Sequence, residues 1–73
     1  MSKLPQISGS TCVNALQRVG FLVVRQKGSH IILRRDDPYK RLVVPNHKTL
    51  KKGMLSDIIK DAGLTVDEFI DLL

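Results

Sequence analysis

Between Phe21 and Pro45 three short apolar runs follow one another with only turn-forming residues between them. Phe21 to Gln26 is β-branched and apolar, His30 to Arg35 is a second such run, and Arg41 to Val44 is a third that stops at Pro45. The separators, Lys27-Gly28-Ser29 and Asp36-Asp37-Pro38-Tyr39, are too short to hold a crossover connection. Three strands joined this closely pair as an antiparallel meander.

A three-stranded sheet needs one face covered, and the flanking segments supply the cover. Ser8 or Ser10 caps a first helix whose Cys12, Val13, Ala15 and Leu16 fall at helical spacing, with Gly20 as its C′ residue. Beyond the strands, Leu55, Ile58, Ile59 and Ala62 mark a second helix from about Gly53 to Ala62, ended by Gly63. Thr65 and Glu68 then form a capping box, with Leu64 and Phe69 placed as a hydrophobic staple. A short third helix to about Leu72 is expected. Met1 to Ile7 reads as a loose leader. The order α-β-β-β-α-α, without an internal repeat, is that of one α+β domain over residues 1–73, because a chain of 73 residues has room for one core.

Charge is unevenly placed along this frame. From Arg25 to Lys52 nine Lys and Arg stand against Asp36 and Asp37, whereas from Gly53 onward Lys60 stands alone against five acids. A basic centre of this kind suits a polyanion, and the plain alternative is a solvated charged face. A single cysteine, Cys12, excludes an internal disulfide framework and fits a reducing cytosol, so a cytoplasmic location is expected. No apolar run is long enough to span a membrane. No glycine-rich phosphate loop or dinucleotide fingerprint is present, so no cofactor is expected. The acids form no cluster suited to a divalent metal, and one cysteine with two histidines is thin material for zinc. With Phe21, Tyr39 and Phe69 as the only aromatics, a base-stacking platform is missing too.

His30 carries the strongest chemical signal. It opens the second strand just past a tight turn, so its position is rigid while its ring reaches solvent. Alternation puts His30, Ile32 and Arg34 on one face, with Ile31, Leu33 and Arg35 on the other. Histidine exchanges protons at neutral pH, and a neighbouring guanidinium suits a phosphodiester; the plain alternative is a surface histidine. Lys51 and Lys52, with Lys48 near by, precede the second helix, where free N–H groups and the helix dipole favour phosphate. His47, in the same loop, either touches RNA or orients the loop through a hydrogen bond. Cys12 reads as a small core residue.

Taken in order, Gly20-Phe21, Arg25, Lys27-Gly28-Ser29-His30, Val44-Pro45-Asn46-His47, Leu50-Lys51-Lys52-Gly53-Met54-Leu55 and Ile59-Lys60-Asp61-Ala62-Gly63-Leu64 resemble the HicA toxins of bacterial toxin–antitoxin pairs. Met54 departs from the threonine often found there. The resemblance implies a fold similar to the double-stranded RNA-binding domain. It also implies metal-independent cleavage of messenger RNA with His30 essential, and silencing by a HicB-type antitoxin over the active site. Arg25, Lys27, Ser29, Lys48, Lys51 and Lys52 are the expected RNA contacts, with His47 in support. Neither a membrane nor DNA is an expected partner of the chain alone. The reading from another class is a non-catalytic RNA-binding module of the same fold.

Overall fold

Ser8, rather than Ser10, starts the first helix: its hydroxyl accepts the Thr11 N–H at 3.1 Å. The computed structural model describes residues 3–73. Its elements are α1 (Gly9–Gln17), β1 (Leu22–Lys27), β2 (His30–Asp36), β3 (Tyr39–Pro45), α2 (Lys52–Asp61) and α3 (Val66–Ile70). The strands form one antiparallel sheet in the order β1-β2-β3, as their short connections require.

Both turns are tighter than the sequence suggests. Lys27 pairs with His30 across Gly28-Ser29, and Gly28 takes φ 59°, a left-handed value that glycine adopts at little cost. Asp36 pairs with Tyr39 across Asp37-Pro38, whose peptide bond is cis. The third strand therefore begins at Tyr39 and runs through Pro45, longer than the expected Arg41 to Val44. Polar residues that read as turn formers complete the ladder instead.

One face of the sheet is the core face. Ile31 and Leu33 of β2 and Leu42 and Val44 of β3 alternate onto it, and they meet Cys12, Leu16, Leu55, Ile58 and Ile59 from the two main helices. Phe21, Phe69, Leu16, Leu33 and Leu55 are fully buried. Each contributes about 1.5–3 kcal/mol relative to exposure. Arg35 stands on this side as well; its guanidinium lies 4.6 Å from the Phe21 ring centre, and its Nε donates to the Pro38 carbonyl at 3.2 Å.

Helix ends differ from expectation by a residue or two. The regular part of α1 stops at Gln17, and Gly20 (φ 95°) closes it as expected: its N–H donates to the Gln17 carbonyl and the Phe21 N–H to the Leu16 carbonyl, both at 3.3 Å. Lys51 is the N-cap of α2 and Lys52 its first residue. α3 begins as its capping box dictates: Thr65 Oγ1 accepts the Glu68 N–H at 3.1 Å while Glu68 Oε1 accepts the Thr65 N–H at 2.8 Å. It ends at Ile70, short of Leu72.

The leader is not loose where it is described. Leu4 and Ile7 pack against the core, and the Ile7 carbonyl accepts the Leu50 N–H at 2.8 Å. Met1 and Ser2, the rest of that expected leader, lie outside the described residues.

Cys12 is wholly buried, and burial pushes its thiol from 9.0 up to about 12. The native thiolate is therefore scarce near neutral pH. Iodoacetamide should label Cys12 in the native protein more than about a hundredfold slower than in urea, read by mass spectrometry. Equal rates would place the thiol outside the core.

Candidate functional site

His30 occupies the first position of the central strand, with Lys27 opposite it on β1 and Pro45 opposite it on β3. Directly opposed residues share a face, so these three form one rung on the face turned away from the helices. The next rung is Arg25, Ile32 and Val43. Arg25 is thus a diagonal neighbour of His30, and Lys27 a direct one. Both cations and the histidine are exposed.

Three backbone hydrogen bonds assemble the surroundings of this rung. The Asn46 N–H donates to the Ser29 carbonyl, joining the loop after β3 to the turn before His30. The Gly9 N–H donates to the His47 carbonyl at 2.9 Å, joining the start of α1 to the same loop. The Leu50 N–H donates to the Ile7 carbonyl, and the buried Leu50 side chain holds the loop down. Gly9 approaches so closely that a Cβ there would collide with the Pro45 carbonyl oxygen. The β1–β2 turn, the α1 start and the 46–51 loop therefore meet at one end of the sheet.

This end gathers the residues singled out from the sequence, to different degrees. Ser29, His30 and Lys27 are adjacent through the hairpin. His47 enters through its main chain, while its ring is exposed and makes no hydrogen bond among the described residues. Lys48 is exposed in the loop, and Lys51 and Lys52 are exposed at the start of α2. No hydrogen bond or ion pair among the described residues links these lysines to His30. The α2 start has no side-chain cap and no acid in its first turn, so its N–H groups and the lysines share one electropositive region.

The imidazole of His30 also makes no hydrogen bond or ion pair among the described residues. It stands on a surface rather than in an enclosed cleft. A cavity of about 340 Å³ does exist, lined by Val19, Leu22, Val24, Arg34 and Arg35 among others, but it lies at the opposite end of β2. Physical placement outweighs cavity size here, because a polymer laid across a surface needs no enclosing pocket. Asp36 and Asp37 are at that far end too, with Asp36 paired to Arg34 at 2.9 Å. Among the described residues no three His, Cys, Asp or Glu side chains gather in a way that would hold a metal ion. Nor is any helix of the described chain long and apolar enough to cross a membrane.

Sequence reasoning placed Gly28-Ser29-His30 at a strand start but missed Gly9 and Asn46. Neither carries a chemical signature, because each acts through its backbone. The glycine directly after Ser8 was the available sign of a close approach.

Replacing Gly9 by Ala should destabilise the fold by about 1–3 kcal/mol, because the new methyl must displace the Pro45–Asn46 backbone. Urea unfolding measures this, and an unchanged midpoint would contradict the close contact. Residues 9–64 match the family described as the HicA toxin of bacterial toxin–antitoxin systems. No curated protein matches the chain.

Proposed function

The chain belongs to the HicA toxin family, and from that premise we propose that it is a metal-independent endoribonuclease that cuts messenger RNA through His30. The observation that carries the proposal is the placement of His30. Its ring is exposed and has no partner among the described residues, on the central strand, beside Lys27 and diagonal to Arg25.

RNA brings its own nucleophile. Attack of a 2′-oxygen on the adjacent phosphorus forms a cyclic phosphate and breaks the bond to the 5′-oxygen. The 2′-hydroxyl must lose a proton and the departing 5′-oxygen must gain one. His30 takes the first proton as general base or supplies the second as general acid, and water completes the exchange. Arg25, Lys27, Lys48, Lys51 and Lys52 hold the phosphate and offset its growing charge. Ser29 and His47 line the same end, as hydrogen-bonding groups toward the RNA. Because the toxin would cut its host's own messages, a HicB-type antitoxin is its partner, and its work is cytoplasmic.

Three outcomes follow. His30→Ala should fold normally yet lose roughly 10²–10⁴ in cleavage rate, and with it toxicity in a growth assay. A folded His30→Ala variant that cuts at wild-type speed removes His30 from the chemistry, and RNA bound but never cut by the wild type supports the non-catalytic module. Cleavage should persist in EDTA, since no ligand cluster is present among the described residues; loss on chelation and recovery with Mg²⁺ would contradict this. Finally, Lys51→Ala with Lys52→Ala should weaken binding about equally across RNA sequences and flatten the salt dependence by a log–log slope of up to about 0.7 per contact. A retained slope would leave these lysines outside the RNA interface.

A further inference from the structure

The two ends of the sheet face turned away from the helices differ in electrostatic character. Alternation along β2 turns His30, Ile32, Arg34 and Asp36 to that face. The register sets Lys27 beside His30, Arg25 and Val43 beside Ile32, and Leu22 and Arg41 beside Arg34. Arg25 and Arg41 make no ion pair among the described residues, so the rungs leading away from His30 carry uncompensated positive charge. Past them the charge cancels. Arg34 Nε donates to Asp36 Oδ1 at 2.9 Å, and Asp37 follows in the turn. Arg35 is engaged by the Phe21 ring and the Pro38 carbonyl.

The cavity of about 340 Å³ lies at this neutral end. Two arginines and two aspartates form its charged lining, and Val19, Leu22 and Val24 are its apolar walls. Leu22 is 65% exposed and Val24 48%, so these walls face water beside an ion pair. A lining whose charges cancel does not concentrate anions and makes a poor seat for phosphate. It suits an uncharged flat ring that packs its faces on aliphatic groups and meets polar groups along one edge. The unpaired bases of a single RNA strand have that form. Tyr39, opposite Asp36 on the same face and 66% exposed, adds an aromatic surface beside the ion pair.

We infer that this cavity seats an unpaired guanine of the RNA substrate, read along its edge by the Asp36 carboxylate and the Arg34 guanidinium. The inference rests on the ribonuclease reading above and adds to it a base preference at a distance from the cut. Guanine offers two adjacent N–H donors, at N1 and N2, to a carboxylate, and its O6 to the guanidinium alongside. Adenine, cytosine and uracil each lack the adjacent donor pair. The Arg34 and Asp36 side chains are 49% and 75% exposed, so their mutual bond leaves N–H groups and oxygen lone pairs open to a ligand. Arg25 and Arg41 hold the phosphates between the cavity and His30. Phosphate contacts position a strand, whereas contacts to a base edge select its sequence. From His30 to Arg34 the strand advances ~13 Å, so the guanine lies several nucleotides from the bond that is cut.

The test uses the full chain and fluorescent oligouridines with every 2′-oxygen methylated, which bind but cannot undergo attack by that oxygen. One set carries no guanine, and the others carry a single guanine at each position in turn. Anisotropy should show one position at which guanine lowers Kd roughly tenfold, while adenine there gives no gain and inosine, which lacks the N2 amine, gives less. In Asp36→Asn, whose fold circular dichroism checks, the ratio of the two affinities should fall to about one. The inosine comparison needs no variant and decides the matter if Asp36→Asn fails to fold. On unmethylated RNA, the cut should fall at a fixed spacing from guanine. Equal affinity wherever guanine stands, an equal gain from adenine, or a gain that survives in folded Asp36→Asn would overturn the inference. So would a gain lost in Lys51→Ala/Lys52→Ala but kept in Asp36→Asn, which would move the base to the α2 start. Guanosine 5′-monophosphate binding as tightly as the guanine-bearing strand would make the cavity a nucleotide site unrelated to RNA, and overturn it too. A chain that shows the guanine gain yet cuts no unmethylated RNA sinks the nuclease reading alone, and one that cuts without regard to guanine sinks this inference alone.

Discussion

At one point in the molecule, two stretches of main chain come closer than any side chain would permit. Gly9 lies against the carbonyl of Pro45, and its N–H reaches the His47 carbonyl two residues on. The start of α1, the end of β3 and the following loop are locked together there by backbone alone. From that lock the loop reaches Ser29 through Asn46, which sets the turn carrying His30. The same loop delivers Leu50 into the core and Lys51 to the start of α2. A side chain at position 9 would move all of these together, so a residue with no chemistry of its own governs where the chemical groups stand.

The sheet divides the labour between its two faces. Alternation sends Ile31, Leu33, Leu42 and Val44 toward the helices and His30, Arg25, Arg34 and Arg41 away from them. Stability and function are thereby drawn from different residues of the same strands. Apart from Asp36 and Asp37 at the far end of β2, the acids belong to the helical layer, so the end of the sheet that carries His30 keeps its positive field.

Much of this is legible in the sequence. The short separators force the meander, the periodicity of Leu55, Ile58 and Ile59 marks the covering helix, and the Thr65–Glu68 box sets the start of α3 to the residue. Where reading failed, the cause was tertiary. Tyr39 looks like a turn residue, yet it pairs with Asp36 because the Asp37-Pro38 turn closes in two residues. Leu22, Val23 and Val24 look like core, yet all three are exposed: β1 is an edge strand, and its register shifts between Val23 and Arg25. An apolar run tells that a strand forms, but not whether a helix will lie over it. Of the candidate site, residue types and strand position were readable, while the meeting of three distant segments was not, since backbone bonds carry no sequence signature.

The bond between Leu50 and Ile7 joins residues far apart in the chain, whereas the hairpins join near neighbours. During synthesis the meander can pair as soon as Pro45 has left the ribosome. The N-terminal segment, by contrast, has no seat until Leu50 follows, and the core has no cover until α2 is made. A nascent chain that ends before Leu50 therefore carries the histidine without the surroundings that position it.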